Sequence, residues 1–204
     1  MRRRRDESFR WRSCLSARIV PPLAADDLER ASQRDASEQV ILVDDRDRAL
    51  GCAGKIDAHR EGQLHRAFSV LVFDADERLL LQRRADAKYH FATRWSNTCC
   101  GHPRPDEPTM QAAGRRLKEE FGIRVPLVER AQLVYRAEDQ ASGLIEHEYL
   151  HVFFGVYAGD PRPDPSEIGA WRWMSVPAIH RALAHRPDWF TPWFGLLMDR
   201  LFPR

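Results

Sequence analysis

The stretch "GHPRPDEPTMQAAGRRLKEEFGI", Gly101 to Ile123, decides how this chain is read. Written as spacing, it is G-x5-E-x7-R-R-L-x-E-E-x-G-I. Its second half carries the signals of an amphipathic helix. Asp106 can cap the start, Pro108 sits in the first turn, and Gly122 supplies a left-handed C-cap. Met110, Ala113, Leu117 and Phe121 recur at helical spacing and give the apolar face. Glu119 and Glu120 are adjacent, with Arg116 one turn before Glu120. A carboxylate beside a guanidinium can hold a hard cation while the guanidinium meets phosphate oxygens. Taken alone, "RRLKEE" reads more readily as a solvated helix face laced with ion pairs.

The flanks are rich in strands. "QVILVD" (Gln39–Asp44) is a short one. "HRAFSVLVFD" and "ERLLLQRRA" are two apolar runs split by the turn "DADE" (Asp74–Glu77), which predicts a hairpin. "AQLVYRA", "EHEYLHVFFGVY" and "AWRWMS" follow the helix, with the turn "AGDPRPDPS" between the last two. "VPAIHRALAHRP" and "DWFTPWFGLLMDRLF" read as two closing helices. No internal repeat is visible. Strands, helix, strands, helices in this order predict a single α/β (α+β) domain, a sandwich around a mixed sheet.

Bulk composition narrows the function. The chain has 204 residues, 43% of them hydrophobic and 30% charged, ordinary values for a soluble domain. A net charge of +2 gives no global field for nucleic acid. No apolar run reaches the roughly 18 residues of a membrane span. Cys14, Cys52, Cys99 and Cys100 do not form a disulfide framework, so a reducing cytoplasm is expected. Residues 1–37 are basic and then polar, and are expected to form a poorly ordered extension to a folded domain at 38–204. Neither a nucleic-acid nor a membrane partner is expected, and the assembly is expected to be a monomer or a homodimer.

A second set of residues lies outside the opening stretch, apart from one histidine. "KIDAHREGQLHRAF" carries His59 and His65, "CGHP" carries His102, and "IEHEY" carries Glu146 and Glu148. Residues two apart on a strand share a face, so the two glutamates can converge. Three imidazoles and two carboxylates would suit a divalent transition metal. Each histidine alone reads as readily as an ordinary surface or core residue. His147 falls on the other face of its strand, and His151, His180 and His185 have no paired context. Cys99 and Cys100 leave three readings open: core thiols, a metal site or a catalytic thiol. Alternation along a strand puts the two on opposite faces.

The spacing from Gly101 to Ile123 closely resembles the Nudix box, with one departure. The glutamate expected after Arg115 is Arg116, which argues against diphosphate hydrolysis while leaving diphosphate binding. "HRAFSVLVF", "LLLQRRA", "WSNTCCGHP", "YRA", "EHE" and "TPWF" occur in order around it. Together they resemble type I isopentenyl-diphosphate isomerase, from about Val40 to the C-terminus. The resemblance implies a Nudix-type α/β/α sandwich and a double-bond shift by protonation and deprotonation. It implies Cys100 and Glu148 as catalytic groups, Tyr135 supporting the glutamate and Trp193 facing a carbocation. It implies His59, His65, His102, Glu146 and Glu148 around manganese, zinc or magnesium. It further implies magnesium bridging the substrate diphosphate and Glu120, and a basic clamp of Lys55, Arg84, Lys88 and Arg116. A Nudix hydrolase of diphosphate compounds is the competing reading.

Overall fold

The computed structural model describes residues 17–21, 37–88 and 91–203. Its elements are β1 (Arg18–Ile19), β2 (Gln39–Val43), β3 (Ala49–Gly54), α1 (Lys55–Glu61), β4 (His65–Phe73) and β5 (Arg78–Arg84). There follow β6 (Trp95–Ser96), β7 (Cys99–Gly101), α2 (Thr109–Phe121), β8 (Val128–Glu138), β9 (Ile145–Val156) and β10 (Ile168–Ser175). Helices α3 (Val176–His185) and α4 (Pro192–Leu201) close the chain, with a short 3-10 turn at Pro187–Trp189 between them.

Alternation in "HRAFSVLVF" builds both sides of the core. Phe68, Val70 and Val72 pack with Ala113, Leu117 and Phe121 of α2. Ala67 and Leu71 face the other way, toward Ile179 of α3 and Phe194, Leu197 and Met198 of α4. Two helical layers thus cover one mixed sheet, the expected α/β/α sandwich. β4 and β9 run parallel, while β8 and β9 and β5 and β10 run antiparallel.

The hairpin expected from β4 and β5 opens at once. Their pairing is confined to Phe73 and Leu79, next to the turn. Beyond it the segment 95–101 enters between them: β6 pairs with β5 and β7 with β4. That insertion carries both cysteines of the "CC" pair into the centre of the sheet. Arg18–Ile19 also departs from expectation. It pairs with Trp171 and Ala170 as an edge strand, so the N-terminal extension is structured there. The remainder of the extension up to residue 36 lies outside the described residues.

Helix α2 corrects two readings. Pro108, not Asp106, stands at the N-cap, and no side chain caps the helix. Asp106 instead takes a left-handed backbone, φ 63°, which directs it away from the cap geometry. Met110 is exposed, because the buried face starts one turn later at Ala112 and Ala113. Gly122 does cap the helix, at φ 68°, with its N–H on Lys118 O at 2.9 Å. A Cβ there would lie 3.2 Å from Arg162 Cβ. Gly122→Ala is therefore expected to destabilise the fold by about 1–2 kcal/mol. Denaturant unfolding checks this, and an unchanged midpoint would disprove the strain.

Candidate active site

Glu148 lies where three strands meet. On β9 it stands opposite His65 of β4 and opposite Tyr135 of β8. Glu146 precedes it by two residues and points to the same side. His59 comes from α1, and His102 directly follows β7. These elements bring together the full expected set: one ligand atom from each of His59, His65, His102, Glu146 and Glu148 lies within 4.8 Å of all the others.

The histidine chemistry tests whether a cation fits. The Nδ1–H of His59 donates to Lys55 O at 2.6 Å, and that of His65 to Gln63 O at 2.8 Å. A carbonyl only accepts, so each Nδ1 carries a proton and each Nε2 faces the other ligand atoms of the cluster. His65 Nε2 and His102 Nε2 stand 3.2 Å apart. His102 Nε2 is 3.1 Å from Glu148 Oε1, and His59 Nε2 is 3.2 Å from Glu146 Oε2. Burial and the charge of His59 push His65 down to about 4. Burial likewise holds His102 well below its ordinary value. Burial opposes charge on His59, but the Glu146 carboxylate raises it above its ordinary value. Inward-facing ring nitrogens beside two carboxylates are the donor set of a divalent metal, and the cluster could hold one.

Glu148 is a buried carboxyl group. Burial, and then the neighbouring Glu146 carboxylate, raise it well above the usual carboxylate range. Tyr135 donates to Glu148 Oε2 at 2.7 Å. The hydroxyl is itself held neutral, chiefly by burial.

Cys99 and Cys100 do face opposite ways. Cys99 is fully buried in the α2 core, while Cys100 packs toward the other core and lines the cleft that Glu148 also lines. Register sets Cys100 beside Ser69, with 3.3 Å between Sγ and Oγ. Asn97 Nδ2 donates to the same sulfur at 3.2 Å. Burial pushes the Cys100 thiol up to about 12, although Ser69 and Asn97 oppose it.

The cleft spans about 740 Å³ when the solvent in its open mouth is included. Cys100, Glu148, Tyr135 and Trp193 line it together with Lys55, Arg84, Lys88, Arg116 and Glu120. His59 and His65 are buried behind its wall. Trp193 is fixed by its indole N–H, which donates to Ser96 Oγ at 2.9 Å. The Arg84 guanidinium lies 5.7 Å from the centre of its ring. Lys55 Nζ meets Glu38 at 2.7 Å.

In the Nudix-like stretch, Arg115 pairs with Glu107 through Nε at 2.7 Å and Nη2 at 2.8 Å, which closes the loop onto the helix. Arg116 turns into the cleft and meets Glu120 Oε1 at 2.7 Å. Gln82 donates to the second oxygen of Glu120 at 3.1 Å. Burial raises the Glu120 carboxyl, against the pull of Arg116. Glu119 stays partly exposed, so Glu120 alone of the adjacent pair faces the cleft.

Sequence reasoning missed Ser69, Asn97, Gln82 and Glu167. Glu167 also lines the cleft. It accepts from Lys88 Nζ at 2.8 Å and pairs with Arg116 Nη2 at 3.2 Å. No spacing signal marks these residues: Ser69, Gln82 and Glu167 reach the site through strand order or a distant turn, and Asn97 lies three residues before Cys100 on the same inserted segment.

Fold and cleft together define a Nudix-class protein. The NUDIX domain family profile matches residues 63–194. A Deinococcus radiodurans protein, DR0079, has the same fold, with TM-score 0.68 at 17% identity over 81% of this chain and 99% of its own. A MutT protein from Methanosarcina mazei aligns with TM-score 0.56 at 19% identity, over 67% of this chain and 91% of its own. Much nearer in sequence are proteins named isopentenyl-diphosphate Delta-isomerase. That of Halorhodospira halophila is 51% identical over 164 residues, 79% of this chain and 94% of its own. That of Burkholderia multivorans is 50% identical over 163 residues, 80% of this chain and 92% of its own. The chain belongs to the isopentenyl-diphosphate Delta-isomerase family within the Nudix class. No helix among the described residues is long and apolar enough to cross a membrane.

Proposed function

We propose that the chain interconverts isopentenyl diphosphate and dimethylallyl diphosphate, with Cys100 and Glu148 moving the protons. The observation that carries this reading is one cleft lined by a thiol, a tyrosine-bonded carboxyl group, a tryptophan and four basic residues. Lys55, Arg84, Lys88 and Arg116 grip the diphosphate and place the five-carbon chain against the inner wall. Protonated Glu148 gives its proton to the terminal methylene carbon, leaving a tertiary carbocation. Cys100, as the thiolate, removes a proton from the carbon next to the carbinol carbon. The pair shares one proton in total, so exchanging its position runs the reaction backwards. Tyr135 holds the Glu148 carboxyl in place through each transfer.

Trp193 presents a ring to the cation, an interaction of about 0.5–2 kcal/mol, and its burial helps keep out the water that would trap the cation. Ser69 and Asn97 stabilise negative charge on the Cys100 sulfur. When bound by His59, His65, His102, Glu146 and Glu148, a divalent ion (manganese, zinc or magnesium) would polarise the Glu148 carboxyl, and magnesium held by Glu120 would neutralise diphosphate charge. Nitrogen-rich ligation favours manganese or zinc at the first of these sites. One chain supplies every group named, so a monomer suffices. Free thiols at Cys52, Cys99 and Cys100 suit a reducing compartment, and the cytoplasm is the place we assign to it.

The test is proton NMR of the metal-loaded protein with isopentenyl diphosphate and magnesium in deuterated water. New allylic methyl signals carrying deuterium are expected. Intact substrate would overturn the reading, and released phosphate would replace it with hydrolysis.

A further inference from the structure

Glu167 belongs neither to the Nudix-like stretch nor to the metal-ligand set, yet it occupies the cleft between two clamp cations. Its backbone is fastened on two sides. Ala85 N, just past β5, donates to Glu167 O at 2.9 Å, and Asp164 N donates to Glu120 O on α2 at 2.8 Å. Within the turn, Glu167 N and Ile168 N both reach Asp164 O, at 3.1 and 2.9 Å. Ser166 closes on Asp164 Oδ1 through N at 2.8 Å and Oγ at 2.7 Å. The turn is thus tied to the segment just past β5, in which Lys88 lies, and to α2, which carries Arg116.

The side chain divides its oxygens between those cations. Oε2 takes Lys88 Nζ at 2.8 Å and Oε1 takes Arg116 Nη2 at 3.2 Å, with all three side chains less than a fifth exposed. An anion in a site for anions lowers the total attraction for a diphosphate. What it supplies is geometry. Two cations this close, in a partly dry cleft, repel one another. A fixed carboxylate between them holds the two side by side. Lys88 also has further donor hydrogens, and Arg116 has five N–H groups, so each can serve Glu167 and a phosphate oxygen together.

We propose that Glu167 is a positioning residue for the diphosphate clamp: anchored by its turn, it holds Lys88 and Arg116 side by side so that both grip one diphosphate. This rests on the diphosphate reading of the cleft. The test compares wild type with E167Q in two readouts: calorimetric binding of inorganic pyrophosphate with magnesium, and steady-state isomerisation. Pyrophosphate Kd and KM should each rise about tenfold, or about 1.4 kcal/mol, while kcat changes by less than about threefold. The effect of E167Q should shrink in a K88M background, because the residue acts through Lys88.

Unchanged Kd and KM would make the bridge merely structural. Tighter binding would make Glu167 a competitor of the diphosphate, and a loss confined to kcat would place it in the chemistry. Full additivity with K88M would also refute the proposal. If E167Q does not fold, E167D withdraws the charge by one methylene and is read by the same criteria, with a smaller loss expected. A wild type that binds pyrophosphate without isomerising would sink the functional reading alone, since the binding comparison stands without turnover.

Discussion

Glu148→Gln is expected to lower kcat by at least about 10³-fold, within the range for a positioned general acid, while the chain stays folded. The amide is nearly isosteric, and its carbonyl can still accept the Tyr135 hydroxyl that now meets Oε2 at 2.7 Å. It cannot deliver a carboxyl proton to carbon. The same substitution also weakens a metal ligand, so activity alone does not separate the two roles. Glu146→Gln provides the comparison. Glu146 shares the His59 side of the cluster and stands opposite Ala137 in the β8–β9 register, which sets Tyr135 opposite Glu148. Both variants should bind less metal by elemental analysis. With excess metal, Glu146→Gln should recover part of its turnover and Glu148→Gln should not. Turnover of Glu148→Gln within tenfold of wild type would remove Glu148 from the acid role.

What the sequence could reveal depended on how local each signal was. Gly122 was readable because a left-handed cap belongs to the chain's own backbone. The opposite orientations of Cys99 and Cys100, and the shared face of Glu146 and Glu148, followed from alternation. Alternation says which face a residue takes, not which strand lies beside it. The parallel pairing of β4 with β9 sets His65 opposite Glu148, and the entry of residues 95–101 between β4 and β5 sets Cys100 opposite Ser69. Both contacts are long-range. The metal-ligand set and clamp could be named in advance through the family resemblance, not through spacing alone. Glu167 was beyond reach for the same reason: its partners Lys88 and Arg116 lie far from it in sequence, and a polar turn such as "DPSEIG" reads as an ordinary loop. The failed cap at Asp106 is the local counterexample. Its side-chain type suited a cap, but its backbone has a positive φ of 63°, and the N-cap falls two residues later, at Pro108.

The two adjacent cysteines give the sharpest separation between chemistry and packing. Cys100→Ala is expected to abolish isomerisation, with a loss of at least about 10³-fold, because no neighbouring group replaces a carbon-proton acceptor. Ser69 Oγ, 3.3 Å from the sulfur, is a far weaker acid than a thiol and would not ionise in its place. Removal of the sulfur should leave pyrophosphate affinity close to wild type, because the clamp residues come from other positions. Cys99→Ala should behave oppositely. That thiol is wholly buried against Phe68, Leu117 and Phe121, and burial holds it far above its ordinary pKa, so it has no access to substrate. Its loss leaves a small void in the α2 core, costing about 1 kcal/mol, with kcat within about threefold of wild type. Thermal unfolding and steady-state kinetics on both variants read the two effects independently. An inactive Cys99→Ala beside an active Cys100→Ala would reverse the assignment, and two active variants would transfer proton removal from carbon to a group other than either thiol.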